Sequence, residues 1–241
     1  MKTVISLFDE TGLAGRDWAM NGYNVHCFDI VHDEIPRVEK VGKGLMIFTH
    51  WDARNVFSSV SLMDQDDDVH FVMAFPPCTD LAVSGAAHFS KKFAKNPNFQ
   101  KDAVEMVLAA LFIAGVYDCP FIIENPVSVL STMWRKPNFM FDPYEYGGYL
   151  PEDDVHPEYP EYIEPRDAYR KKTCYWTGGG FDMPEPIPVP FKTGYSKQHR
   201  LLGGKSAKTK RIRSASPRGI ARAIYLKYGD TYGAPIRQGD R

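Results

Sequence analysis

An apolar run, Val69-His70-Phe71-Val72-Met73-Ala74, leads directly into Phe75-Pro76-Pro77-Cys78-Thr79. The run has the length and content of a buried strand. Two consecutive prolines end its ladder, because neither can donate a backbone hydrogen bond. Cys78 therefore stands on a stiff turn just past a strand end. In an open α/β sheet the carboxyl ends of strands are where ligands bind. A thiol fixed there suits a nucleophile if a neighbour takes its proton or lowers its pKa; a buried, inert cysteine is the alternative.

The chain before this turn has the same rhythm. Residues 3–8 read as a strand, 9–15 as a glycine-containing loop, 16–20 as a helix start, Asn21-Gly22 as a turn and 23–30 as a second strand that reaches Asp29. Strand, glycine loop, helix, strand and terminal acid make a βαβ unit of the nucleotide-binding kind. Gly12 and Gly15 do not complete a dinucleotide fingerprint, so a plain strand–turn–helix corner is the competing reading. Residues 45–48 read as a third strand, followed by Asp52, which either faces the same ligand or caps a helix over 54–62. Asp66-Asp67-Asp68 reads as a solvated turn.

After Cys78, residues 85–99 lack periodicity and read as a mobile loop, a candidate lid. Residues 100–116 form an amphipathic helix with Val104, Val107, Leu108, Leu111 and Phe112 on its apolar face. A fifth strand over 120–123 ends in Glu124-Asn125-Pro126. If it lies parallel to the strand before Cys78, Glu124 shares the thiol's edge; a cap for the segment 127–133 is the plainer alternative. A late strand covers 171–176, residues 192–213 read as a basic loop, and Ser216-Pro217 opens a helix over 218–228. The whole reads as one α/β domain over 1–241, with a mostly parallel central sheet and helices on both faces.

Net charge is −1 over 241 residues, which by itself indicates no partner. Its distribution is polarised: nine Asp/Glu and one Arg lie between residues 142 and 167, and twelve Lys/Arg and one Asp between 192 and 237. A basic stretch of this kind either meets an anion or is simply solvated. The four cysteines are far apart, with no spacing for structural zinc, so no metal is expected. No stretch approaches the roughly 20 apolar residues of a membrane span, and the N-terminus opens directly into a strand, so a cytoplasmic protein is expected.

Together these features suit covalent activation of a pyrimidine. A thiolate adds to ring carbon 6, a carboxyl group hydrogen-bonds or protonates ring nitrogen 3, and carbon 5 becomes nucleophilic toward a methyl donor. At this point the sequence resembles the cytosine carbon-5 methyltransferases, most closely their short phage and prophage forms. Ser6-Leu7-Phe8-Asp9-Glu10-Thr11-Gly12 resembles the S-adenosylmethionine loop, Phe75-Pro76-Pro77-Cys78 the nucleophile motif, and Glu124-Asn125-Pro126 the family's Glu-Asn-Val. Ala168 to Thr173 and Arg213 to Arg218 resemble two later basic motifs. Glu10 and Leu13 stand where full-length enzymes carry glycine, Thr79 replaces the usual Gln, and no sizeable target-recognition domain is evident.

The resemblance implies a Rossmann-like S-adenosylmethionine-dependent fold. It implies cofactor contacts at Phe8, Asp9, Gly12, Leu13, Asp29, Ile30, Asp52 and Pro76, and catalytic roles for Cys78, Glu124 and Lys172. Pro77, Thr79, Asn125, Lys171 and Thr173 are expected around the base, and Lys208, Lys210, Arg211 and Arg213 on phosphates. DNA is the expected partner, in a host cytoplasm if the chain is phage-encoded. A free cytidine nucleotide, a non-catalytic binding protein on the same fold, and methylation of an exocyclic amine are the alternatives. The last typically has Asp or Asn before Pro-Pro and an aromatic after it, where this chain has Phe75 and Cys78.

Overall fold

The structure is a computed structural model and describes residues 2–55, 68–203 and 206–229. The chain divides into two compact units: Met1–Met140 with Thr173–Asp182, and Phe141–Lys172 with Met183–Arg241.

The first unit is built on a mixed sheet. Its strands are β1 (Lys2–Leu7), β2 (Asn24–Asp29), β3 (Arg37–Val41), β4 (Gly44–His50), β5 (Asp68–Ala74), β6 (Phe121–Pro126), β7 (Phe139–Phe141) and β8 (Thr173–Gly178), in the order β3-β4-β2-β1-β5-β6-β8-β7. Strands β4, β2, β1, β5 and β6 run parallel to one another. Strands β3 and β8 are antiparallel to β4 and β6. The chain steps outward from β1 through β2 to β4, then returns to the other side of β1 with β5 and β6. In open α/β sheets ligands bind past the carboxyl ends of the strands at such a reversal, which here falls between β1 and β5. The architecture is α/β and compatible with a Rossmann-like fold.

Successive residues of β5 point to opposite faces. Phe71 meets Trp18 of α1 (Arg16–Met20), with ring centroids 5.4 Å apart. Val72 joins the cluster formed by Ile5, Leu7, Ala74, Leu130 and Trp176 with α3 (Phe99–Val116). The apolar face expected for α3 is corrected in part: Val107 is buried and Val104 and Leu111 pack against the core, but the face is centred elsewhere. Ala103, Val107, Ala110 and Ala114 are buried, whereas Leu108 and Phe112 are 42% and 44% exposed. Nearly every position from 103 to 116 is apolar, so periodicity alone does not select a face. The small alanines do, because they let the helix backbone approach the sheet closely.

Several expectations of irregular structure are also corrected. Residues expected as a mobile loop form a 3₁₀ helix over Val83–His88 and then α2 (Phe89–Lys95). The basic loop contains α5 (Lys197–Leu201) and α6 (Ala207–Ser214), following the short α4 (Leu130–Met133) earlier in the chain. Ser196 and Ser206 cap α5 and α6 by accepting the N–H of His199 and Thr209. Helix α7 (Arg218–Tyr228) has Pro217 at its N-cap position rather than inside its first turn. The late strand starts at Thr173, so Lys171 and Lys172 precede it. Asp68 opens β5, while the rest of the acidic turn and the helix expected over 54–62, beyond a 3₁₀ turn at Ala53–Asn55, lie outside the described residues. No helix among the described residues is long and apolar enough to cross a membrane.

In the second unit the two oppositely charged stretches meet each other. Asp154 takes a bidentate pair of bonds from Arg218 (2.7 and 2.6 Å) and the N–H of Arg166. Asp167 accepts the N–H of Gly219 at the start of α7 (2.8 Å), and Glu164 accepts the N–H of Lys197 (2.7 Å). A small core of Ile163, Tyr169, Leu202, Ile212 and Ala215 lies among these bonds. Part of the acidic stretch thus serves the internal structure of this unit.

Candidate functional site

At the end of β1, Phe8 adopts φ 58, a left-handed conformation that is uncommon for a bulky residue. The N–H groups of Phe8 and Asp9 both donate to the carbonyl of Phe28 (2.7 and 3.3 Å), which holds the chain in that bend. Asp9 then organises the loop. Its carboxylate accepts from Ser6 Oγ (2.7 Å), Gly12 N (2.7 Å) and Thr11 N (3.1 Å). A carboxylate so occupied shapes the loop rather than reaching outward, and Asp9 is buried. Gly12 sits at φ 70, a left-handed conformation that favours glycine, and an added Cβ would also push on the Met46 and Phe48 side chains. Leu13 is buried beside it.

Asp29 ends β2 and is half-buried. Its Oδ1 accepts the N–H of Val31 (3.1 Å), and burial raises its pKa above the usual carboxylate value. Ile30 beside it is exposed. Asp52 follows β4 and is paired with Arg54, whose Nε lies 2.9 Å from each carboxylate oxygen; these bonds lower the Asp52 pKa. The Asp52 carboxylate expected at the cofactor is therefore occupied by a neighbouring guanidinium. Trp51, which sequence reasoning did not single out, is buried against Phe8 (centroids 5.1 Å) and Phe28 (6.5 Å). It gives the strand ends an aromatic wall. The available signal was a large apolar residue just past a strand end.

The nucleophile turn is built with equal definition. Pro76 is buried, whereas Pro77, Cys78 and Thr79 are exposed. Asn125 Nδ2 donates to the Pro76 carbonyl (3.0 Å) from within the core. The Cys78 carbonyl accepts from Leu81 N (3.0 Å) and Ala82 N (2.8 Å). Val83 N then donates to Val127 O (3.1 Å), and Val129 N to Leu81 O (3.0 Å), which stitches this turn to the segment after β6. Lys92 of α2, also not anticipated from sequence, donates to the Thr79 carbonyl (2.6 Å) and to Asp80 Oδ1 (2.7 Å).

Strands β5 and β6 are parallel neighbours in which Ala74 pairs with Ile123. Glu124 is the next residue on β6 and is half-buried. Strand β8 places Thr173 opposite Pro126 and Tyr175 opposite Glu124. Cys78, Glu124, Asn125 and Thr173 thus share one region at the carboxyl ends of β5 and β6. Cys78 is exposed, while Cys27, Cys119 and Cys174 are buried. Burial pushes the Cys119 thiol up to about 11 and also raises that of Cys27, so both are poor nucleophiles near neutral pH.

The remaining expected residues belong to the second unit. Lys172 Nζ donates to Asp142 Oδ2 (2.8 Å), and this bond raises its pKa. A lysine held charged suits an electrostatic role better than a proton-accepting one. Lys171 Nζ donates to the Arg213 carbonyl (2.8 Å). Lys208, Lys210, Arg211 and Arg213 are exposed on α6, where Arg213 Nη2 also donates to the Leu202 carbonyl (2.8 Å).

Chemically, the first unit offers an exposed thiol on a rigid turn and a carboxylate on the adjacent parallel strand. It also offers a glycine loop, an aromatic wall and a strand-end acid around the neighbouring strand ends. No family model matches the chain, and no curated protein matches it.

Proposed function

We propose that the chain is an S-adenosylmethionine-dependent methyltransferase acting on carbon 5 of cytosine, most readily in DNA, through a covalent bond between Cys78 and ring carbon 6. The observation that carries this reading is the placement of an exposed Cys78 just after β5 and of Glu124 on β6, the next strand of the sheet. Counted in chain order, the five parallel strands lie 3-2-1-4-5, a doubly wound order that supports a Rossmann-like cofactor fold.

Under this reading Cys78 attacks carbon 6, and Glu124 supports ring nitrogen 3 so that charge does not accumulate there; after methyl transfer to carbon 5 a base removes the carbon 5 proton and the bond from Cys78 to carbon 6 breaks. Asn125 fixes the turn that carries the thiol. Asp29, at the end of β2, accepts hydrogen bonds from the ribose hydroxyls of the cofactor, whose sulfonium supplies the methyl group. Gly12 and Leu13 line its loop, and Phe8, backed by the buried Trp51, offers ring surface to its adenine. Asp52 contributes only if its bond to Arg54 opens. A cytosine in duplex DNA must leave the base stack to reach a thiol in this way.

One observation favours a free cytidine nucleotide as the substrate instead. Acidic residues of the second unit already pair with Lys172 and Arg218, which leaves less free positive charge for a polymer than the sequence suggests. Transfer of labelled methyl to duplex DNA, single-stranded DNA and dCMP, compared side by side with mass analysis of the product base, tests both readings. 5-Methylcytosine in DNA supports the first. Turnover of dCMP with none on DNA establishes the second, and transfer to none of the three rejects both.

A further inference from the structure

In the second unit, Tyr195 precedes α5 and is 73% exposed. Its ring stacks on His199, with centroids 4.1 Å apart and planes 17° from parallel. One face of the tyrosine is therefore covered by an imidazole, and the opposite face is open to solvent. The ring takes no part in the small core of this unit, which is formed by Ile163, Tyr169, Leu202, Ile212 and Ala215.

The surroundings are cationic. Helix α5 carries Lys197 and Arg200, and α6 exposes Lys208, Lys210 and Arg211. The two helices are joined locally: Thr209 Oγ1 donates to the Gly203 carbonyl (3.2 Å), and Arg213 donates to that of Leu202 (2.8 Å). Leu202 follows α5, and Ile212 anchors α6 in the same core. The buried positions of α6 are Thr209 and Ile212, so its cations lie on the remaining faces. Three acids of the same unit have bonds of their own, Asp154 to Arg218, Glu164 to the Lys197 N–H at the start of α5 and Asp167 to the Gly219 N–H.

We infer that Tyr195, backed by His199 and flanked by the cations of α5 and α6, is a stacking platform for a base of an unpaired nucleic-acid strand. Proteins that hold single strands combine a positive track for phosphates with open aromatic faces for bases. A duplex satisfies only the first half of that pair, because its bases are already stacked on one another. The inference deepens the DNA reading above and rests on it for its meaning, but its test measures binding rather than methyl transfer.

The experiment is fluorescence anisotropy with a labelled single-stranded oligodeoxynucleotide, the same sequence as a duplex, and heparin as a polyanion without bases. Tyr195→Ala is compared with Tyr195→Phe and with the double variant Lys208→Ala/Lys210→Ala, and circular dichroism checks each fold. Loss of one stacked base predicts roughly ten-fold weaker single-strand binding for Tyr195→Ala. Heparin binding should stay unchanged, and Tyr195→Phe should retain wild-type affinity. The double lysine variant should weaken all three ligands and flatten the log–log salt slope on single strands by about 0.7 for each phosphate no longer neutralised. Equal affinity of Tyr195→Ala and wild type for the single strand would overturn the platform, as would parallel losses on heparin or no single-strand binding at low salt. Tyr195-dependent binding by a protein that transfers no methyl group would instead overturn the enzymatic reading and leave the platform standing.

Discussion

Asn125 Nδ2 lies 3.0 Å from the carbonyl oxygen of Pro76 and donates to it. One buried amide thereby ties the end of β6 to the turn that presents Cys78. Removing the donor leaves a carbonyl without this partner, at a cost of about 1–3 kcal/mol. Asn125→Ala should lower unfolding stability by that amount in denaturant titration. Methyl transfer should fall further than the unfolded fraction explains, because the turn loses its anchor. Unchanged stability and unchanged turnover together would remove Asn125 from this role.

Lys92 holds α2 to the same turn through the Thr79 carbonyl and Asp80. Both partners are partly solvated, so the bond contributes modestly. In Lys92→Met, amide hydrogen exchange over residues 83–95 should accelerate roughly three- to ten-fold, with little change in β1 and β2. Iodoacetamide should label Cys78 ahead of the three buried cysteines in both proteins. Exchange that does not accelerate across α2 would show that Lys92 is not a latch.

Asp29 is the strand-end acid of the βαβ unit, given the cofactor ribose in the proposed function, and it is half-buried, with the Val31 N–H donating to its Oδ1. Asp29→Ala should weaken S-adenosylmethionine binding by about ten-fold or more, because it removes a charge-assisted hydrogen bond to the ribose. Calorimetry with equal affinities for variant and wild type would contradict that assignment.

Asp167 is 1% exposed, and burial raises its carboxyl to about 6 from an ordinary value of 3.8. The folded state therefore favours its protonated form. Its contribution is most favourable below the unfolded value and is lost as pH rises from about 4 to about 6. His156, in the same unit, acts in the opposite direction. Burial lowers it to about 4, so the folded state resists protonation and loses stability as pH falls below 6.5. Asp154 adds to that acid sensitivity, because its burial is outweighed by the Arg218 bonds that hold it below its ordinary value. The Asp167→Asn difference isolates one group. The variant should be more stable than wild type at pH 7 by roughly 1–3 kcal/mol, and the gap should close toward pH 4. Urea unfolding at both pH values measures it, and a gap independent of pH would contradict the assignment.

The strands that position the site were legible because each is an apolar run with a sharp local stop: Pro76 and Pro77 after β5, the glycine loop after β1, Asp29 at the end of β2. Strand β3 was not, because it lies at the sheet edge with Val41 its only buried residue and so lacks an apolar signature. Helices α2, α5 and α6 are short and polar, and their stability comes from serine caps and distant partners such as Asp80 for Lys92. The bonding partners of Asp9 and Asp52 were hidden for a related reason. A motif shows that an acid is present, while only the folded loop shows that Gly12 N–H or Arg54 already occupies it. The meeting of acidic and basic stretches is likewise a long-range fact, invisible to charge counts.

The central claim is the covalent bond, and trapping it is the most direct test. Wild-type protein, S-adenosylmethionine and DNA containing 5-fluorocytosine should yield a complex that survives denaturation, because fluorine cannot leave as a proton does. Peptide mass analysis should place the methylated base on Cys78, and Cys78→Ser should form no complex, since a hydroxyl is a far weaker nucleophile at neutral pH. Methylation of ordinary cytosine at carbon 5 with no trapped species, or an adduct on any other residue, would contradict the account.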